Sequence, residues 1–224
     1  MHVIRIEKAL NDRSPTVRGL AIELVTDYEL DDMLPEITRM LNDRDSEVRA
    51  LAIESIAKLA KRDFPIKTII KRLFDDDELV RVAAAEALAE FGDAAVLSGL
   101  YKALKDKSPL VRSFVAEAIG SIGDKRSIAN LEKCLRRETD ERAKLGFYVG
   151  LSNLDSRNVL QNLIDLYQSE DYRVRSAIIN SLDQIKFKGK TVEKINLFLK
   201  DALVNEKTIA VKSSIENALK LFRN

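Results

Sequence analysis

The sequence predicts an all-α protein, an α-solenoid that stacks about seven helical hairpins. The first observation is a repeat, because an apolar residue followed by a base returns every 31 or 32 residues, with one longer step of 37 before the last copy. The seven copies are Val17-Arg18, Val48-Arg49, Val80-Arg81, Val111-Arg112, Ala143-Lys144, Val174-Arg175 and Val211-Lys212. A fixed period of about 20 to 50 residues is typical of solenoids. We therefore expect one array over 1–224, with approximate repeats at 1–29, 30–62, 63–93, 94–124, 125–155, 156–188 and 189–224.

The second observation is helical periodicity within each repeat. In the third repeat, two apolar stripes flank an acidic turn at 75–77. The first stripe is Ile66, Ile69, Ile70 and Leu73, and the second is Val80, Ala83, Ala84, Ala87 and Leu88. Spacing of i, i+3, i+4 and i+7 indicates amphipathic helices, and no segment alternates with the period of two that strands require. Each repeat is therefore predicted to be a helix A, a tight turn and a helix B.

The third observation is that the turn residues repeat. Three residues before each repeating apolar position stand Ser14, Asp45, Asp77, Ser108, Asp140, Asp171 and Thr208, all of which are favoured as helix N-caps. Five residues before it stand Asp12, Asp43, Asp75, Asp106, Glu138, Ser169 and Glu206, of which six are acidic. The acidic column matches the basic column of Arg18, Arg49, Arg81, Arg112, Lys144, Arg175 and Lys212 almost one for one.

Two interpretations of the basic column stay open. Seven bases on one stripe could follow a phosphate backbone, or each base could pair with the acids of a neighbouring turn. The near balance of 37 bases and 36 acids favours pairing, because proteins that bind nucleic acid usually carry a clear basic excess. We predict that Arg49, Arg81 and Arg112 reach turn acids of their own or adjacent repeats, as a structural ladder.

Several stretches resemble the HEAT-repeat family, in particular its short PBS-lyase-like type. They are residues 41–57, 80–93 and 104–112 with 116–120, whereas the fifth repeat departs from the pattern. The resemblance implies a right-handed superhelical stack whose B helices line a concave face. The family contains scaffolds, adaptors, chromophore lyases and DNA-repair proteins, so the resemblance implies the fold more firmly than the activity.

A candidate binding surface follows from the B helices. Glu23, Glu54, Glu86 and Glu117 stand six residues after the repeating apolar position, off the buried stripe, and could form an acidic ridge. In the fifth repeat Val149 takes the place of this glutamate, next to Leu145 and Tyr148 at positions that we predict to be exposed. The predicted partner-binding residues are Glu86, Glu117, Leu145, Tyr148 and Val149. The alternatives are an ordinary charged surface for the glutamates and a local packing irregularity for the fifth repeat.

The function predicted from these features is that of a non-catalytic scaffold or adaptor that binds a protein or peptide on the concave B-helix face. Phosphate-loop and nucleophile-elbow motifs are missing from the sequence, and its only histidine is His2, so we expect no catalytic residues, metal or other cofactor. Two alternatives remain, a subunit of a chromophore lyase and a nucleic-acid binder that uses the basic ladder with Lys186, Lys188, Lys190 and Lys194. The lone Cys134, the lack of a signal peptide and the lack of a long apolar run lead us to expect a cytoplasmic protein without a membrane span.

Overall fold

The computed structural model describes residues 2–60, 65–156, 159–183, 185 and 190–222. Across these residues the regular structure is helical and contains no strand, which confirms the all-α prediction. The helices are α1 (His2–Leu10), α2 (Pro15–Asp27), α3 (Leu34–Met40), α4 (Ser46–Leu59), α5 (Ile66–Arg72), α6 (Glu78–Phe91), α7 (Leu97–Ala103), α8 (Pro109–Ile122), α9 (Ile128–Leu135), α10 (Glu141–Asn153), α11 (Val159–Leu166), α12 (Tyr172–Ser181), α13 (Lys190–Asn205) and α14 (Ile209–Leu221). Short 3-10 turns at Asp31–Met33, Ala94–Val96 and Lys125–Ser127 lead into α3, α7 and α9.

The helices pair as antiparallel hairpins within two compact units, Met1–Ile122 and Gly123–Asn224. In the first unit, the B helices α2, α4, α6 and α8 pack side by side in chain order, and each also packs against the A helix that precedes it. In the second unit, α10 packs against α9 and α11, while α14 packs against α12 and α13. The hairpin prediction is confirmed for six of the seven pairs of A and B helices, whereas α11 of the sixth repeat packs mainly against α10 and α13. The single seven-repeat array stays a prediction.

The core lies along the predicted apolar stripes. Val80, Ala84 and Leu88 of α6 are completely buried, as are Ile69 and Leu73 of the preceding helix A. Short alanine side chains on α6 leave room for α4 on one side and α8 on the other. Burial of these aliphatic groups is the main favourable contribution to folding, at about 25 cal/mol per Å² of apolar surface removed from water.

The N-cap column begins five of the seven B helices as expected. The carboxylate of Asp77 accepts from the backbone N of Leu79 at 2.8 Å and of Val80 at 3.3 Å. Asp45, Ser108, Asp140 and Asp171 cap their helices in the same way. Ser14 and Thr208 occupy the N-cap position with extended backbone, yet their side chains make no cap bond, so the cap prediction is wrong for these two.

Candidate binding surface on the B helices

The turn between helices A and B is shaped by the seven residues that stand five positions before the repeating apolar residue. All seven accept a hydrogen bond from the backbone N of the N-cap residue two positions later, at 2.8 to 3.1 Å. Ser169 makes this bond with its hydroxyl, and the other six use a carboxylate. The column therefore fixes the turn, a role that the sequence analysis did not assign to it.

Arginines of the basic column join each turn to the next one. Arg49 donates through Nη1 to the carbonyl oxygen of Asp43 in its own turn, at 3.0 Å. Its Nε and Nη2 donate to the carboxylate of Asp75 in the following turn, at 3.1 and 2.6 Å. Because a guanidinium is a planar fork of donors, one side chain can hold both turns at once.

We call this arginine, bonded both to its own turn and to the next one, a clamp, and it recurs along the chain. Arg18 bonds Asp43, Arg81 bonds Asp106 and Arg175 bonds Glu206, each through the next repeat's carboxylate. Arg112 donates to the carbonyl oxygens of Asp106 and Lys107 at 2.8 and 3.2 Å. The prediction of a structural ladder is confirmed at Arg49 and Arg81 through carboxylates of the next turn, and at Arg112 through the main chain of its own turn.

Electrostatics of the clamp agree with its geometry. Burial alone would raise the pKa values of the Asp43 and Asp75 carboxyls, but hydrogen bonds from Arg18 and Arg49 hold both below their ordinary values. The hydrogen bond from Arg175 likewise lowers the pKa of Glu206. Arg18, Arg49 and Arg81 are buried, so their guanidinium groups are not available to a phosphate backbone. This burial removes these three arginines from the surface that the nucleic-acid alternative requires, whereas Arg112, Lys144, Arg175 and Lys212 are half-buried.

The ladder changes at the fifth and sixth repeats, where two departures coincide. Lys144 stands in place of the arginine, and Ser169 stands in place of the next acid. The Ser169 hydroxyl donates instead to Oε2 of Glu141 at 2.5 Å. An ammonium group lacks the planar fork of donors that reaches two turns, and a serine lacks the carboxylate that an arginine binds. Both partners of the usual link between turns are therefore replaced here.

The predicted acidic ridge, Glu23, Glu54, Glu86 and Glu117, lies on successive B helices of the first unit. The first three side chains are exposed and the fourth is half-buried. Desolvation raises the pKa of Glu86, and the charges of Glu54 and Glu90 raise it further. Desolvation also raises the pKa of Glu117, with a further contribution from Glu86, against the opposing hydrogen bond from Ser113. The Glu86 carboxylate is thus close enough to those of Glu54 and Glu117 for repulsion, and no ion pair within the described residues compensates these three acids.

Apolar side chains border this ridge. Leu51 and Phe114 stand three residues before Glu54 and Glu117 on the same helices, and both are half-buried. Residues three apart are neighbours on a helix surface, so each apolar group lies beside a carboxylate. Leu51 and Phe114 were not among the predicted binding residues, although both stand at the third position after the repeating apolar residue, a column that is visible in the sequence.

The fifth repeat corrects part of the predicted surface. Leu145 and Val149 are buried, and Tyr148 is half-buried. The expectation that these residues form an exposed apolar patch was therefore wrong for Leu145 and Val149. Leu145 occupies the second position after the repeating residue, and its equivalents Gly19 and Val82 are buried as well. The physical reason is the stack itself, because in the first unit this position faces the next B helix, as the 3.1 Å approach of Leu51 to Gly19 shows.

The remaining candidates are less informative. Cys134 is half-buried in α9. Lys186 and Lys188 of the lysine cluster lie outside the described residues, whereas Lys194 is exposed on α13. Within the described part of the chain, no helix combines the length and the apolar character needed to cross a bilayer.

Comparison with known proteins agrees with this geometry. The sequence profile of HEAT repeats matches residues 5–64 and 66–152. Curated protein sequences give no match. Among solved structures, a chain from the complex of CpcE and CpcF of phycocyanin lyase from Nostoc sp. PCC7120 aligns with a TM-score of 0.68 at 19% identity, covering 97% of this chain and 93% of that one. A designed armadillo repeat protein aligns with a TM-score of 0.50 at 17% identity, covering 97% and 98% of the two chains. The repeats, the clamped turns and the profile match together show that the chain belongs to the HEAT-repeat family.

Proposed function

We propose that this protein is a non-catalytic binding module that holds a basic protein or peptide on the B-helix face of its first unit. The observation that carries the proposal is the ridge of Glu54, Glu86 and Glu117, in which no cation among the described residues compensates the carboxylates. Desolvation raises the pKa of Glu86 and of Glu117, and the neighbouring charges of Glu54 on Glu86 and of Glu86 on Glu117 raise them further. The turn acids, by contrast, are mostly held by arginines. Uncompensated repulsion is relieved when a partner supplies lysine or arginine.

The surface beside the ridge supports a peptide-like partner. The half-buried side chains of Leu51 and Phe114 offer apolar contact, and aromatic groups contribute strongly to binding energy. A segment that alternates basic and apolar residues would meet carboxylates and apolar groups together. Of the residues predicted from sequence, Glu86 and Glu117 enter this proposal, Tyr148 stays a candidate in the second unit, and Leu145 and Val149 would act through packing.

The experiment compares capture of cellular proteins by three forms of the full chain. The ridge variant Glu54→Lys/Glu86→Lys reverses two charges on the proposed face. The control variant Glu7→Lys/Glu47→Lys makes the same change in charge at two exposed acids outside the ridge. Proteins retained by the wild type and the control but lost by the ridge variant, with binding that weakens as salt rises, are the expected result. Equal retention by both variants would refute the proposal.

A second candidate function is that of a subunit of a chromophore lyase. It is favoured by the alignment with the chain from the phycocyanin lyase complex, which supports the fold at 19% identity. A lyase subunit purified with its partner would carry a chromophore and absorb visible light. A colourless complex would count against this candidate and leave the binding module.

A further inference from the structure

The outer face of the first B helix, α2, carries an apolar stripe that is exposed to solvent. Val17, Leu20, Leu24 and Tyr28 are 37%, 54%, 45% and 72% exposed. They follow one another at intervals of three or four residues, so they line one side of the helix over about 16 Å. We name these four residues the α2 stripe. Scattered apolar residues on a surface are ordinary, but a continuous stripe of four indicates an interaction site.

Later repeats show what this face normally contacts. Leu51, the equivalent of Leu20, reaches back to Gly19 on the preceding B helix, where its side chain lies 3.1 Å from the Cβ position. Ser55, the equivalent of Leu24, accepts a hydrogen bond at 2.7 Å from Thr26 on that same helix. In α4 this face thus packs against the preceding B helix. The repeating residue shows the difference, since Val48 is 1% exposed and Val17 is 37% exposed.

The α2 stripe is not shaped to receive another regular repeat. At the position of Leu24 the other B helices carry Ser55, Ala87, Ala118, Gly150, Ser181 and Ala218. Small residues there let neighbouring helices approach closely, whereas a leucine holds them apart. The outer face of α14 also fails to complement it, because Ser213, Glu216 and Lys220 are polar and exposed. These facts disfavour head-to-tail stacking of copies.

The stripe is complementary to itself when two copies meet about a two-fold axis. In an antiparallel arrangement of two α2 helices, Leu20 of one copy faces Leu24 of the other, and Val17 faces Tyr28. The charges at the two ends of α2 are complementary in this arrangement. Exposed Arg13 precedes the helix, and the exposed acids at or beyond its end are Asp27, Glu29, Asp31 and Asp32. Each copy would place Arg13 against the acids of the other, and the two helix dipoles would also be antiparallel.

We propose that the α2 stripe is the interface of a symmetric homodimer, in which two copies pack α2 against α2 with Arg13 paired to Asp31 or Asp32. One helix face provides a small interface, below the standard range of about 1,200 to 2,000 Å² of total buried surface. The dimer is therefore weak, with a dissociation constant on the order of 10 to 100 µM.

Analytical ultracentrifugation of the full chain over about 1 to 300 µM tests the proposal. The wild type should rise from the monomer mass of 25.3 kDa towards twice that value. Leu20→Asp/Leu24→Asp should remain monomeric with an unchanged helical circular dichroism spectrum, because each residue is about half exposed and an aspartate carboxylate at either position can reach solvent. The control Leu79→Asp, which alters a leucine on α6 that is 63% exposed, should dimerise as the wild type does.

A charge swap separates this interface from non-specific apolar association. Arg13→Glu and Asp32→Arg should each weaken the dimer at least fivefold, and the double variant should recover part of that loss because the pair of residues 13 and 32 is restored with reversed sign. A wild type that stays at the monomer mass would overturn the proposal and leave the stripe to a different protein. Dimerisation of Leu20→Asp/Leu24→Asp, or no recovery in the double variant, would overturn it as well.

Discussion

Replacing Arg49 with alanine should destabilise the first unit far more than replacing an ordinary surface base. Arg49 is 7% exposed, and its guanidinium group donates to two carboxylate oxygens of Asp75, one of Asp76 and carbonyl oxygens of its own turn. Breaking a buried ion pair by removing one partner costs about 3 to 5 kcal/mol, because the other charge stays buried. Asp75 keeps a second cation, Arg72, at 2.9 Å, which places the expected loss near 3 kcal/mol, at the low end of that range.

The assay is urea unfolding followed by circular dichroism, with the free energy of unfolding compared between variants. Lys58→Ala is the matched control, because this exposed base lies on the same helix, and it should change stability by less than about 0.5 kcal/mol. Arg49→Lys should lose about half as much as Arg49→Ala, since an ammonium keeps the charge without the fork. A double-mutant cycle with Asp75→Ala should give a coupling energy of about 1 to 3 kcal/mol. An Arg49→Ala loss no larger than that of Lys58→Ala would refute the clamp.

Three further predictions concern the core and the titrating acids. Leu88→Ala should cost about 2 to 5 kcal/mol in chemical unfolding, because the side chain is completely buried between helices. The pKa of Asp75 is lowered by folding, so the stability it contributes is complete above pH 4 and is lost as the pH falls further, a loss that melting curves should show and that Asp75→Asn should reduce. The pKa of Glu117 is raised by folding, so Glu117→Gln should increase the melting temperature at pH 7, and this gain should disappear as acid protonates the wild-type carboxyl.

The hairpins and the ladder could be predicted because their causes are local and repeat. Helical spacing identifies which side of a helix is apolar, and the cap preference of Asp45 or Asp77 depends on backbone amides only two or three residues away. The charge match between Arg49 and the turn acids was equally visible, since both recur with one period. The direction of the pairing, to the next turn at Asp75, depends on the stacking geometry and required the structure.

The fifth repeat could not be predicted from one helix considered alone. A period of 3.6 residues shows where a side chain lies relative to its own helix A, but a stacked B helix is also covered by its neighbours on both sides. Leu145 was therefore placed in solvent although its position is a contact position in this fold. A comparison with Gly19 and Val82 in the same column would have indicated burial.

Two columns of charge that look alike in the sequence have opposite roles in the structure. The acid at Asp75 is buried, held by two arginines, and has a lowered pKa, so its charge is used within the fold. The acid at Glu86 is exposed, faces other acids, and has a raised pKa, so its charge is a cost to the folded chain. Because nothing in the described residues offsets that cost, a cation from outside would stabilise the ridge, and this difference locates the proposed binding surface on the B helices rather than along the ladder.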